Sequence, residues 1–329
     1  MSIGLPYKGS KSEIAEEIVA KLPPCGKILD ACCGGGAVLV ALAQSLKYKS
    51  VVGNDKNPAT IALLDAVLIN KGQIEYEHPE PCSRNDFFVS LQRIENNDFT
   101  IQDCVNKFCA SFGNDGKTYL YGSEIEPYKL EAEQMLTAKT LEERRRHYRK
   151  FYALVNKDGG DAGERLQKLE FMQRLQSLER LQRLQSLERL ERLERLERLE
   201  RLERLERLER LERLDIFDID YSEFDMVYFD IPYKGTNKYD YEFDHERFYS
   251  LFKSLKNDLN IPAFLSEYDA PFTCVAEFEK TQLMAASVGS SKATTREKLY
   301  FNGSQEEYKD LMGRFYASKD AEKTQLSLF

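Results

Sequence analysis

Lys27-Ile28-Leu29-Asp30-Ala31-Cys32-Cys33-Gly34-Gly35-Gly36 is the stretch on which the fold of this chain turns. An apolar run ends in a carboxylate and then in three glycines, the pattern of a strand that turns tightly into a helix. The apolar residues from Ala37 to Leu46 supply that helix. Ser50-Val51-Val52-Gly53-Asn54-Asp55 reads as the next strand, and Pro58 opens a helix running to about Asn70. Upstream, Ile14, Ala15, Ile18 and Val19 share one face of a helix over residues 11–21. This succession of strands and helices predicts an α/β fold built on a doubly wound parallel sheet.

The pattern changes after Gly72. Residues 73–165 are polar and aromatic, with helical stretches and a loop at Ser111–Lys117, and read as a mainly helical insertion. The α/β pattern resumes near Asp215, with strands expected at 215–220, 225–230, 262–268, 274–281 and 298–301 and a helix at 244–258. The expected organisation is a discontinuous catalytic domain over 1–72 and 215–316, the insertion over 73–165, a repeat over 166–214 and a loose tail over 317–329.

In that repeat every third residue from Leu166 to Leu214 is Leu, with Met172 the exception, and Leu187–Arg213 is Leu-Glu-Arg nine times over. These are good helix formers. Each triplet, however, falls about 60° short of a full turn, so a long helix carries no fixed apolar stripe and makes a poor coiled coil. The expectation is a long, mostly solvated helix whose length is free to vary and which contributes little chemistry. A partner-binding arm is the alternative.

Candidate chemistry gathers at two strand ends. Met226-Val227-Tyr228-Phe229 runs into Asp230-Ile231-Pro232-Tyr233, which offers a carboxylate, a backbone carbonyl and an aromatic ring. Asp30 and the glycine turn offer a carboxylate and a close backbone approach for a nucleotide-like cofactor. Asp55, at the next strand end, stands where acidic residues accept from ribose hydroxyls. The turn lacks the spacing of the nicotinamide fingerprint. His78, His147 and His245 are scattered and form no nucleophile arrangement.

Together these motifs resemble the Dam-like, S-adenosylmethionine-dependent DNA adenine methyltransferases of bacteria and phages, over roughly 1–70 and 215–305. Tyr7-Lys8-Gly9-Ser10-Lys11 is similar to that family's N-terminal segment, Asp30, Cys32, Gly34 and Gly36 to its glycine motif, and Asp230–Tyr233 to its Asp-Pro-Pro-Tyr. The resemblance implies a Rossmann-like methyltransferase sheet, with Tyr7 and Lys11 at the methionine part of the cofactor and Asp55 at the ribose. It implies Asp220-Tyr221 as the pair bracketing the cofactor's adenine, and the insertion as the target-recognition domain. Asp230 and the Ile231 carbonyl would hydrogen-bond the amine of a base flipped out of the duplex, with Pro232 stiffening the turn and Tyr233 stacking on the base. Ile231 and Cys32 depart from the family pattern. A degenerate core that only binds DNA or the sliding clamp, or a cytosine-N4 enzyme, are the alternatives.

A net charge of −8 argues against a general nucleic-acid coat, but Arg144-Arg145-Arg146-His147-Tyr148-Arg149-Lys150 is a local basic helix suited to phosphates. It is equally a solvated helix end paired with Glu142 and Glu143. Gln325-Leu326-Ser327-Leu328-Phe329 looks like the peptide by which bacterial proteins dock on the sliding clamp, with Gln325, Leu326, Leu328 and Phe329 as the contacts. Seven cysteines without framework or zinc spacing, no secretory signal and no membrane-length apolar run suggest a cytoplasmic protein without a metal.

Overall fold

The first seven elements are α1 (Ala15–Lys21), β1 (Cys25–Asp30), α2 (Ala37–Gln44), β2 (Tyr48–Asn54), α3 (Pro58–Leu68), α4 (Arg84–Glu95) and α5 (Ile101–Cys109). There follow α6 (Glu126–Thr137), α7 (Leu141–Lys157), α8 (Glu188–Glu200), β3 (Leu208–Glu212) and β4 (Met226–Phe229). The last are α9 (His245–Asn257), β5 (Ala263–Glu267), β6 (Thr273–Leu283) and β7 (Lys292–Phe301). The computed structural model describes residues 4–76, 79–157, 188–202, 205–233, 243–283 and 292–313. These divide into two compact units, one within Met1–Gly4, Ser10–Ile61 and Arg204–Phe329, the other within Leu5–Gly9 and Ala62–Glu203.

The first unit is built on one sheet of order β3-β2-β1-β4-β5-β7-β6. The strands from β3 to β5 are parallel, and β7 runs antiparallel to both β5 and β6. This is the doubly wound α/β arrangement that the alternation predicts, closed by an antiparallel pair of strands. The central strands are apolar throughout: Ile28, Leu29, Val51, Val52, Val227, Tyr228, Phe229, Phe264 and Leu265 are fully buried. Phe229 of β4 packs edge-on against Phe248 and Phe252 of α9, with ring centroids 5.1 and 6.0 Å apart. Each such side chain contributes about 1.5–3 kcal/mol on burial.

The second unit holds α4 to α8. Ser83 with Asp86, and Thr100 with Asp103, form capping boxes that start α4 and α5. Cys82, Phe87, Ala110, Tyr119, Leu120 and Tyr121 form an apolar cluster. On α7, His147 Nδ1 donates to a Glu131 carboxylate oxygen of α6 at 2.8 Å, and the Phe151 ring meets Tyr128.

Two expectations are corrected here. Residues 215–220 form no strand; the strand that pairs with β2 comes earlier, at Leu208–Glu212, inside the Leu-Glu-Arg repeat. The repeat is also not one solvated helix. It is helical over Glu188–Glu200 and extended over Leu208–Glu212, and both pieces are built into the protein. The helix is short, so the angular drift of its leucines never completes a circle: Leu193, Leu196 and Leu199 are all buried. Arg189, 1% exposed, pairs with Glu133 at 2.8 Å and donates to the Glu80 carbonyl at 2.6 Å. Arg192 donates to the carbonyls of Cys109 and Ser111. These contacts explain why the second unit extends past residue 165 to take in the repeat helix.

In β3 a bulge solves the mismatch between a three-residue repeat and the two-residue alternation of a strand. Val51 pairs with Leu208, Val52 with Arg210 and Gly53 with Leu211, so Glu209 is the extra residue. Leu208 and Leu211 thereby stand opposite positions two apart on β2, which share a face. Leu211 lies over Gly53, where an added Cβ would come within 2.8 Å of its side chain.

Candidate active site

The chain proceeds from β1 outward to β2 and β3, then returns to start β4 on the other side of β1. The reversal lies between β1 and β4, where open α/β sheets bind their ligands at the carboxyl strand ends. Asp30 is level with Tyr228, and the Ala31 N–H donates to the Tyr228 carbonyl at 2.9 Å. The two stretches singled out in the sequence, nearly two hundred residues apart, are thus neighbours.

At the β1 end, Asp30 is 1% exposed and neither of its side-chain oxygens has a hydrogen-bond partner. Burial, then the nearby charges of Asp230 and Asp55, push its carboxyl well above the usual range. The turn that follows needs its glycines, because Gly34 and Gly36 have φ of 46° and 76°. Gly36 caps α2. Asp55 fastens the turn: it accepts from the Gly34 N–H at 3.0 Å and from the Asn57 N–H at 2.8 Å. Burial, then Asp55, Asp30 and Asp230, push the Cys32 thiol up, so it stays protonated.

At the β4 end, Asp230 accepts from Lys11 at 2.8 Å. Lys11 is 5% exposed and lies 3.3 Å from Glu297 of β7, and its ammonium sits 4.7 Å from the centre of the Tyr233 ring. Burial alone would lower the Lys11 pKa; Asp230 and then Glu297 override it and hold the value above the ordinary range. The Tyr233 ring meets that of Tyr268 edge-on at 4.6 Å. Tyr268 also lines a cavity of about 430 Å³ with Tyr249, Glu267, Asp269, Ala270 and Pro271. A larger cavity, about 700 Å³, opens among Pro24, Cys25, Tyr48 and Arg207, at the opposite ends of β1 and β2 from Asp30. Beneath the site, the Tyr228 hydroxyl bonds that of Ser266 at 2.7 Å.

The structure therefore brings Lys11, Asp30, Cys32, Gly34, Gly36 and Asp55 together with Asp230, Ile231, Pro232 and Tyr233 in one unit. Tyr7 falls in the other unit, its ring 6.0 Å from that of Phe108. Asp220 and Tyr221 have structural work: Asp220 caps a short 3₁₀ turn through Ser222, and Tyr221 is core, its hydroxyl donating to the Ile216 carbonyl at 2.6 Å. Arg144, Arg145, Arg146, Arg149 and Lys150 are exposed on α7, Lys150 lying 3.5 Å from Glu131. Glu143 is engaged in capping α7 through Thr140. Gln325, Leu326, Leu328 and Phe329 lie outside the described residues, as does His78.

Glu297 and Tyr268, which contact Lys11 and Tyr233, were not singled out in the sequence. Glu297 had a signal: it stands two residues before Leu299 on a strand, so it shares the face of a fully buried residue. Among the described residues no cluster of His, Cys, Asp and Glu has the geometry of a metal site, and no helix is long and apolar enough to cross a membrane.

Residues 7–160 match the family model of the D12 class N6 adenine-specific DNA methyltransferases. Over those residues, somewhat under half of the chain, it is similar to that family. No curated relative matches the chain. Two solved structures of the rRNA methyltransferase aviRa from Streptomyces viridochromogenes are similar at 17% identity, covering 88% of this chain and 83% of that one, with TM-scores of 0.31 and 0.32.

Proposed function

We propose that the β1 and β4 strand ends form the methyl-transfer site, with S-adenosylmethionine as donor and an adenine extruded from the duplex as acceptor. The observation that carries this reading is the side-by-side placement of an unsatisfied buried carboxylate, Asp30, and the Asp230–Tyr233 strand end. Buried polar groups without partners are rare, and one at a glycine turn fits a cationic ligand group. Asp30 would hold the amino-acid part of the donor, and the Gly34–Gly36 turn would let its body approach the backbone. Asp55, which fastens the turn, would meet the ribose. The bound donor would supply an electrophilic methyl group on a sulfonium.

The acceptor amine is a poor nucleophile because its lone pair is delocalised into the ring. Hydrogen bonds from its two N–H groups to the Asp230 carboxylate and the Ile231 carbonyl localise that lone pair and aim it. Both acceptors follow directly on the β4 end at Phe229 and precede Pro232, which limits the reorganisation needed. Tyr233 provides a face for the flipped base. Ile231 is buried, and its carbonyl is available whatever its side chain, so the departure from proline leaves the chemistry intact.

The exposed cations of α7 fit phosphate contacts, and the second unit then reads the target sequence. The terminal Gln325–Phe329 peptide would dock on a sliding clamp, a reading that rests on sequence alone. Seven free cysteines suit a reducing compartment, the cytoplasm.

The test is incubation of the purified chain with labelled S-adenosylmethionine and genomic DNA free of adenine methylation, with Asp230→Ala as control. N6-methyladenine from the wild type only is the expected product. N4-methylcytosine would overturn the base assignment, and equal product from Asp230→Ala would overturn the site.

A further inference from the structure

We propose that Glu297 is a positioning residue for the methyl transfer: it is the second anchor of Lys11, and it retains that ammonium when Asp230 exchanges it for the amine of the base. The inference rests on the methyl-transfer reading of this site. In the structure Lys11 occupies two of the groups the base needs. It donates to Asp230 at 2.8 Å and lies over the face of Tyr233 at 4.7 Å. Amine and ammonium therefore compete for one carboxylate.

Lys11 is almost entirely buried, and an ammonium stripped of its counterion in such surroundings is strongly disfavoured. It leaves Asp230 readily only if another acceptor is at hand. Glu297 is that acceptor. It is 2% exposed, fixed on the ladder of β7 with β6, and its Oε1 is 3.3 Å from the ammonium. At 3.3 Å that oxygen is already within reach of the ammonium without a well-directed hydrogen bond to it, so it can take the bond that Asp230 gives up. A small swing of the Lys11 head suffices. Without Glu297 the lysine would stay on Asp230, withdraw charge from it and block the amine.

The experiment is a double-mutant cycle of Glu297→Gln and Lys11→Gln in the full chain, assayed on genomic DNA free of adenine methylation. Donor affinity is measured by calorimetry and folding by thermal unfolding. Glu297→Gln is expected to lower kcat by about ten- to a hundredfold, the scale of one charge-assisted hydrogen bond. Donor affinity should change less than about twofold, well below that effect. The acid limb of the pH–rate profile should move down, because Asp230 loses a neighbouring negative charge and keeps the lysine to itself. In the Lys11→Gln background the same change should have little further effect. Should Glu297→Gln not fold, Glu297→Asp keeps the charge but retracts it, and a smaller fall in kcat with the same coupling to Lys11 is expected.

Unchanged kcat and pH profile, or effects of the two substitutions that simply multiply, would overturn the role of Glu297 while leaving the methyl-transfer reading standing. A wild type that forms no methylated base would overturn both.

Discussion

Donor binding should release a proton, and Asp30 should be its source. Burial, then Asp230 and Asp55, push the Asp30 carboxyl well above the ordinary range in the free protein and outweigh the Cys32 N–H and Lys11, which act the other way. A cationic ligand group reverses the balance and draws off the proton. Below the raised pKa, affinity should fall about tenfold for each unit of pH, or about 1.4 kcal/mol, because one proton must leave per donor bound. Asp30→Asn should remove the dependence and, at alkaline pH, weaken binding by roughly ten- to a hundredfold, the loss of a charge-assisted hydrogen bond worth about 1.5–3 kcal/mol. The assay is calorimetry of S-adenosylmethionine binding in buffers of differing ionisation enthalpy, where the slope counts protons. The same shift acts on folding. Because the folded value lies above the ordinary 3.8, the native state binds the extra proton, and Asp30's own contribution to stability falls as pH rises from 3.8 through the raised value. Donor should therefore stabilise the fold more above the raised value than below it. Equal proton counts for wild type and Asp30→Asn would refute the reasoning.

Two further outcomes are expected. Arg189 and Arg198 occupy equivalent places in identical triplets, yet Arg189→Ala should cost about 3–5 kcal/mol by leaving Glu133 buried and unpaired, whereas Arg198→Ala, on the exposed side of α8, should change thermal unfolding hardly at all. Replacing Arg144, Arg145 and Arg149 by Gln should weaken DNA binding across sequences and reduce the slope of log affinity against log salt by roughly 0.9 for each phosphate no longer neutralised, read by fluorescence anisotropy of a labelled duplex.

The sheet and the two strand ends at Asp30 and Asp230 were legible in the sequence because local patterns specify them. Apolar runs ending in Asp30 and Asp230 mark strands, and the glycine turn marks the crossover to α2. Lys11 was legible only through family resemblance; the spacing of Glu297 from Leu299 signalled an inward-facing carboxylate, but nothing local says that β7 lies beside β5 and so brings it to Lys11. Asp220 and Tyr221 match a motif, and in the fold Tyr221 also packs into the core around Phe229 and Ile216.

The Leu-Glu-Arg repeat separates the two levels most cleanly. The sequence by itself determined that these triplets favour helix and that their period suits no long amphipathic surface. It could not determine that the same triplet is helix at 188–200 and strand at 208–212. Identical residues have identical propensities, so the difference arises outside them. Glu133 and the carbonyls of Glu80, Cys109 and Ser111 receive two arginines of the helix. The open edge of β2 instead offers the second piece a ladder of backbone hydrogen bonds, and a bulge at Glu209 brings its leucines onto one face. Propensities of a few tenths of a kcal/mol per residue yield to such interactions, and only the folded protein decides which of them each triplet meets.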